Sequence, residues 1–273
     1  MPELPEVETV KETLKLKILN KKIKDINVYY DDIIENISVK EFIEKLKAET
    51  FNNVHRKGKW LIFELNNYFL LSHLRMEGKY NIKTVGDYRN KHEHIVFTLE
   101  GNEELRYMDT RKFGKMHLIK KDELYTSLPL SELGLEPWDQ NLNKFYLFDK
   151  FKNKKTAIKT TLLDQTIIAG IGNIYADEIL YFCKLNPQKR TCDLKEIDLE
   201  NIIKYTRKVL EEAIQMGGTT IRSYTSSEGV HGRFQQNLKV HNNKGKKCEN
   251  CNTLIDKITV NGRGTFYCPK CQK

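Results

Sequence analysis

Several features are missing from these 273 residues. No apolar run approaches the roughly 18 residues that suggest a membrane-spanning helix. The first residues are acidic, where a secretion signal would be basic. There is no low-complexity linker and no internal repeat. These absences give the expectation of a soluble, cytoplasmic protein. Residues 1–150 also lack any net charge, with 25 basic side chains against 25 acidic ones. The whole excess of +9 lies in residues 151–273, where 21 basic side chains meet 12 acidic ones. A basic half suits a polyanion such as nucleic acid, although a merely soluble basic domain carries the same charge.

Cysteine is scarce outside the C-terminal end. Cys183 and Cys192 stand alone and read as ordinary reduced residues. The other four form the pattern Cys248-x2-Cys251-x16-Cys268-x2-Cys271. Two Cys-x-x-Cys pairs at this separation, with no secretion signal, read as one four-cysteine zinc site rather than as disulfides. Such a site is closed and structural. Between the pairs, Ile255–Val260 and Thr265–Tyr267 read as strands around the turn Asn261-Gly262-Arg263-Gly264. Zinc would then staple a β-hairpin with Arg263 at its tip.

The remaining chain divides by its hydrophobic period. Val7, Val10, Leu14 and Ile18 recur at spacings of three and four and mark one face of a leading helix. Residues 22–30 read as a strand and Val39–Lys47 as a short helix. From Thr50 to about Lys120 the pattern is β. The candidate strands are Phe51–His55, Trp60–Leu65, Phe69–Leu74, Lys79–Ile82, Ile95–Leu99, Leu105–Met108 and Met116–Ile119. So many short strands in a row predict a two-layer β-sandwich. Residues 139–155 read as a connector. The second half is helical, with predicted helices Thr156–Gln165, Asn173–Phe182 and Leu199–Met216. Asn173 follows a Gly-x-Gly turn, is a good helix cap, and so opens a helix N-terminus able to hold phosphate. After Met216 the stretch Gly217–Gly229 is rich in Gly, Ser and Thr and reads as a mobile loop.

The N-terminal Met1-Pro2-Glu3-Leu4-Pro5-Glu6-Val7-Glu8 allows two readings. Proline and acidic residues suit the first turn of a helix. Alternatively, trimming of Met1 exposes a secondary amine at Pro2. An α-amine has a pKa near 7.7–8.0 against about 10.4 for lysine, so roughly a tenth is unprotonated at pH 7. Such an amine can attack a carbonyl-like carbon and form a Schiff base. Glu3 stands beside it to move protons.

Five separated motifs, taken in order, resemble the formamidopyrimidine-DNA glycosylases, bacterial enzymes that remove oxidised purines from DNA. They are Pro2–Thr9, Lys59 with Ser72–Gly78, Asp109–Gly114, Lys154–Thr156 with Gly170–Ala176, and the cysteine tail with Arg263. The resemblance implies Pro2 as nucleophile, Glu3 as proton carrier, Glu6 as a further residue of the site, and Lys59 as a site lysine near phosphate. It implies Met76, Arg111 and Phe113 as the trio that fills the hole left by an extruded base, which suits apolar wedges and an Arg. Lys155 (favoured over Lys154) and Asn173 would contact the DNA backbone, Arg263 would contact DNA, and His73 matches a position near phosphate, although a structural histidine reads equally well there. Thr219, Thr220, Ile221, Arg222, Ser223 and Tyr224 would cover the base. Two departures occur: Arg75 stands where Gly is frequent in the family, and Thr110 where Pro is frequent.

The fold so implied is α+β. Residues 1–138 form an N-terminal β-sandwich catalytic domain with a leading helix, and 139–155 a linker. Residues 156–240 form a helix–two-turn–helix DNA-binding domain, and 241–273 a zinc-bound β-hairpin. The implied activity joins base removal to β,δ-elimination at the resulting abasic site, with duplex DNA as partner, one structural zinc ion and a monomeric chain. Two other readings stay open. Endonuclease VIII shares the architecture and prefers oxidised pyrimidines. A non-catalytic zinc-ribbon DNA-binding protein would use the basic half equally well, but needs neither Pro2 nor Glu3.

Overall fold

The computed structural model describes residues 1–219 and 232–273. The chain forms two compact units, the first over Met1–Ser131 and the second over Glu132–Thr219 with Arg233–Lys273.

The first unit opens with α1 (Leu4–Ile18). Its expected apolar face is the buried one: Val7, Val10, Leu14 and Ile18 are all in the core. Then follow β1 (Ile23–Val28), α2 (Val39–Leu46) and seven strands: β2 (Asn53–Lys57), β3 (Trp60–Glu64), β4 (Tyr68–His73), β5 (Lys79–Thr84), β6 (Glu93–Leu99), β7 (Glu103–Met108) and β8 (Lys115–Lys120). They build two four-stranded antiparallel sheets, ordered β1-β6-β7-β5 and β2-β3-β4-β8. One continuous core takes side chains from α1, α2 and both sheets, among them Phe42, Phe63, Phe97 and Tyr107. The strands are short apolar runs bounded by turn residues, and β3, β4 and β6 each bury four or more consecutive positions. Ser38 caps α2 by accepting the Glu41 N–H, and Glu41 reaches back, a reciprocal box that fixes where the helix starts.

The second unit holds α3 (Lys144–Phe151), α4 (Ile158–Leu162), α5 (Asn173–Cys183) and α6 (Glu196–Gln215), followed by β9 (Asp256–Val260) and β10 (Arg263–Tyr267). α6, expected over Leu199–Met216, is amphipathic, with Ile202, Ile203, Val209, Leu210 and Ala213 among its buried positions. Three expectations are corrected here. The stretch 139–155 contains a helix, α3, started by the Asn143 side chain, which accepts the Phe145 and Tyr146 N–H groups. The helix expected over Thr156–Gln165 shrinks to α4. At its start the Thr156 carbonyl is taken by the Thr191 N–H, and Ala157 bridges Arg190. At its end Asp164 accepts from the Thr166 N–H and hydroxyl, a local turn that competes with further helix. Third, Gly172 rather than Asn173 caps α5, so Asn173 is its first helical residue. Among the described residues no helix is long and apolar enough to cross a membrane.

Candidate functional site

In the first unit the chemistry gathers at the start of α1. Pro2, Glu3 and Glu6 are buried. Glu6 Oε2 accepts the Glu3 N–H at 2.9 Å, and the two residues close a capping box. The helix-start reading is therefore real, and it holds Glu3 beside Pro2. Arg56 of β2 donates to Glu8 of α1 at 2.7 Å, and this ties the helix to the β2–β3 hairpin. The partly buried pair holds the Glu8 carboxyl below the usual carboxylate range: burial alone would raise it, but the Lys11 and Arg56 bonds outweigh that. The turn of the same hairpin is Gly58-Lys59. Gly58 has φ of +59°, and Lys59 is buried.

His73 ends β4 opposite Trp60, their rings edge to face with centroids 4.8 Å apart. Burial, with the positive charges of Arg75 and Lys59, pushes its pKa down to about 3. The imidazole is thus neutral, and its Nδ1 accepts the Arg75 N–H at 3.0 Å. Arg75 itself has φ of +50°, in the left-handed region. That conformation explains why Gly suits this position, and the His73 bond helps Arg75 hold it.

Beyond Arg75, Met76 is 40% exposed; in the loop after β7, Phe113 is 48% exposed and Arg111 is exposed too. The Arg111 guanidinium lies 4.8 Å from the Phe113 ring centroid. These loops thus present apolar side chains and a guanidinium to solvent together. Sequence reasoning missed what holds this loop. Asp109 is fully buried and accepts the N–H groups of Arg111, Phe113 and Gly114 at 3.0, 2.9 and 2.8 Å. An Asp ahead of a polar loop ending in Gly was the available signal, because such a side chain bonds the backbone just after it.

In the second unit, Lys154 is paired with Asp164 at 3.1 Å, whereas Lys155 is exposed. Arg263 is not at the hairpin tip. The turn is Asn261-Gly262, with φ of +45° and +73°, and Arg263 is the exposed first residue of β10, paired with Val260. A two-residue hairpin with both central φ values positive matches the strand twist, which is why Asn-Gly suffices and Arg263 enters the strand. The hairpin is fastened to the helices by buried polar groups. Lys159 reaches Asp177 at 2.7 Å, Thr265 Oγ1 at 2.8 Å and the Gly264 carbonyl at 3.0 Å. Asn173 donates to the same carbonyl at 3.1 Å. Asp177 also meets His241 Nδ1 at 2.7 Å, and Glu178 accepts the N–H groups of residues 239–241. Burial raises the Glu178 pKa against those three bonds. The visible signal for this network was two acids inside the apolar run of α5.

Cys248, Cys251, Cys268 and Cys271 converge, their sulfurs all within 4.8 Å of one another. Cys248–Cys271 and Cys251–Cys268 are 3.9 and 3.4 Å apart. Zinc–sulfur bonds of about 2.3 Å in a tetrahedron put sulfurs about 3.8 Å apart, so the donor set and its spacing fit one zinc ion. Of the expected base-covering residues, Thr219 is buried, and Thr220, Ile221, Arg222, Ser223 and Tyr224 lie outside the described residues.

Three family models match the chain. They are the formamidopyrimidine-DNA glycosylase N-terminal domain over residues 1–116, its H2TH domain over 133–225, and the zinc finger found in FPG and IleRS over 245–273. Formamidopyrimidine-DNA glycosylases of Oceanobacillus iheyensis and Bacillus subtilis are 46% and 43% identical over the whole chain, which covers 98% and 99% of them. Among solved structures, a Lactococcus lactis FPG mutant with a Fapy-dG containing DNA superposes with a TM-score of 0.94. It is 37% identical, with both chains covered in full. The Lactococcus lactis Fpg with an abasic site containing DNA gives 0.93 at the same identity and coverage.

Proposed function

The chain belongs to the formamidopyrimidine-DNA glycosylase family, and on that premise we propose how its own residues carry out the activity. It is a DNA glycosylase and abasic-site lyase of base excision repair, acting on oxidised purines such as 8-oxoguanine and formamidopyrimidines. Its partner is duplex DNA holding such a base or an abasic site. It works as a cytoplasmic monomer.

The observation that carries the residue assignment is the buried start of α1, where the capping box fixes Glu3 next to Pro2. With Met1 removed, the Pro2 nitrogen is a secondary amine. Its lone pair attacks the sugar C1′, the glycosidic bond breaks, and the base leaves. Glu3 protonates the ring oxygen as the sugar opens to the Schiff base. Loss of a C2′ proton, next to the imine, then expels the 3′ phosphate, and loss of a C4′ proton from the resulting conjugated imine expels the 5′ phosphate. Glu6 holds the Glu3 backbone in place. Lys59, neutral His73, Lys155, Asn173 and Arg263 take phosphates, while Met76, Arg111 and Phe113 fill the vacated space in the stack. Thr219–Tyr224 cover the extruded base. One zinc ion held by the four cysteines stabilises the hairpin and contributes no reaction chemistry.

The test compares three duplexes, carrying 8-oxoguanine, an oxidised pyrimidine or no lesion. The account expects strand cutting on the first well above the second, with none on the third. Cutting confined to the oxidised pyrimidine would move the chain's activity to the endonuclease VIII type. Tight binding with no cutting would make it a binder only.

A further inference from the structure

We infer that the two loops carrying Met76 and the Arg111–Phe113 pair form one preassembled wedge, with Tyr107 and Asp109 as its positioning residues. The inference rests on the reading of those three side chains as space-fillers in the duplex.

The arrangement has a buried hub and a surface latch. In the hub, one Asp109 carboxylate accepts three consecutive-loop N–H groups, from Arg111 and Phe113 on either side of Lys112 and from Gly114. Lys112 between them has φ of +58°, a left-handed kink that the carboxylate bonds hold. The Tyr107 hydroxyl donates to the same carboxylate at 3.4 Å. Burial, reinforced by the Asp109 charge, pushes the phenol pKa far up, so the hydroxyl keeps its proton.

That hydroxyl lies beneath both loops. A Cβ on Gly114 would fall 1.6 Å from it, and a Cβ on Gly78 would fall 2.4 Å from it. Gly78 closes the Met76 loop, its N–H bonded to the Leu74 carbonyl at 2.9 Å. Both loops can therefore settle on one phenol only because each presents a glycine to it. At the surface, the Thr110 hydroxyl donates to the Glu77 carboxylate, joining the loops a second time.

The two devices differ in weight. Hydrogen bonds to a buried charged group are stronger than exposed ones, so the hub dominates and the latch trims. Rigidity is what a wedge needs. Loops already fixed lose little entropy on entering the base stack, whereas loose ones must be ordered at that moment.

The test measures two single-turnover rates, excision of 8-oxoguanine and strand cutting at a preformed abasic site. Phe113→Ala is the reference and should lower the first far more than the second, because an abasic site has no base left to unstack. Tyr107→Phe adds no bulk and removes only the hydroxyl. It should lower excision by about fivefold and leave abasic cutting within about twofold, one net hydrogen bond being about a factor of five. Asp109→Asn should show the same split, and Thr110→Val a smaller one of about threefold.

If Phe113→Ala shows the split while Tyr107→Phe and Asp109→Asn match the unaltered protein, the wedge inference is wrong and the role of the trio stands. If Phe113→Ala shows no split, that role fails and takes the inference with it. Equal losses on both substrates in Tyr107→Phe would reduce the hub to general fold support and also overturn the inference. Should Asp109→Asn fail to fold, Tyr107→Phe alone decides.

Discussion

His73 shows how one residue can be fixed by its surroundings. Its ring is buried, lies near the positive charges of Arg75 and Lys59, and accepts the Arg75 N–H, all of which favour the neutral form. The folded pKa of about 3 lies below the unfolded value of about 6.5. The unfolded chain therefore binds the extra proton first, and stability falls as pH drops from about 6.5 toward 3. His73→Asn keeps an acceptor for Arg75 but cannot charge. Denaturant titrations between pH 7 and 4 should show a shallower loss of stability for this variant, and parallel pH curves would contradict the assignment. The four cysteines were legible from the sequence because the two Cys-x-x-Cys pairs are local patterns whose sulfurs converge in the fold. Asp109 carried a local signal, an Asp ahead of a polar loop ending in Gly, that went unread; Tyr107 carried none, because its hydroxyl meets Gly78 and Gly114 from two loops 30 or so residues apart.

Among the elements, the C-terminal hairpin depends most on groups outside itself. Two five-residue strands bury little, and an isolated hairpin is marginal in water. Four cysteines at one end and the Lys159–Asp177 pair at its side fix it. Cys268→Ser should lose zinc and DNA affinity together, read by metal content and by titration with duplex. Arg263→Ala should keep zinc and lose affinity alone. Full cutting activity in metal-free protein would refute the structural role of zinc. Removing one partner of a buried ion pair costs about 3–5 kcal/mol, so Lys159→Ala should loosen the same hairpin without touching the metal ligands. The strands of the first unit were readable as short apolar runs between turn residues, give or take two residues at the ends. The shortening of α4 was not, since Thr156 and Ala157 are claimed by Thr191 and Arg190, more than 30 positions away.

At the scale of the whole molecule, charge is sorted by position. The +9 excess belongs to residues 151–273, which include Lys155 and Arg263. Phosphate contacts release counterions, so affinity should fall steeply with salt, and each lost contact should lower the slope of log K against log salt by about 0.9. Lys155→Ala and Arg263→Ala should each flatten that slope by about this amount, while Lys154→Ala, whose lysine is paired with Asp164, should change it less. Equal slopes for all three would deny the assignment of Lys155.

The central claim is that the Pro2 amine attacks the sugar, and covalent trapping tests it most directly. The protein, its mass first checked for loss of Met1, is incubated with an 8-oxoguanine duplex and borohydride, and the cross-linked peptide is mapped. One DNA adduct is expected, on residue 2, with none in Glu3→Gln protein that still binds the duplex. An adduct on Lys59 in place of residue 2, or normal trapping in protein that retains Met1, would contradict it.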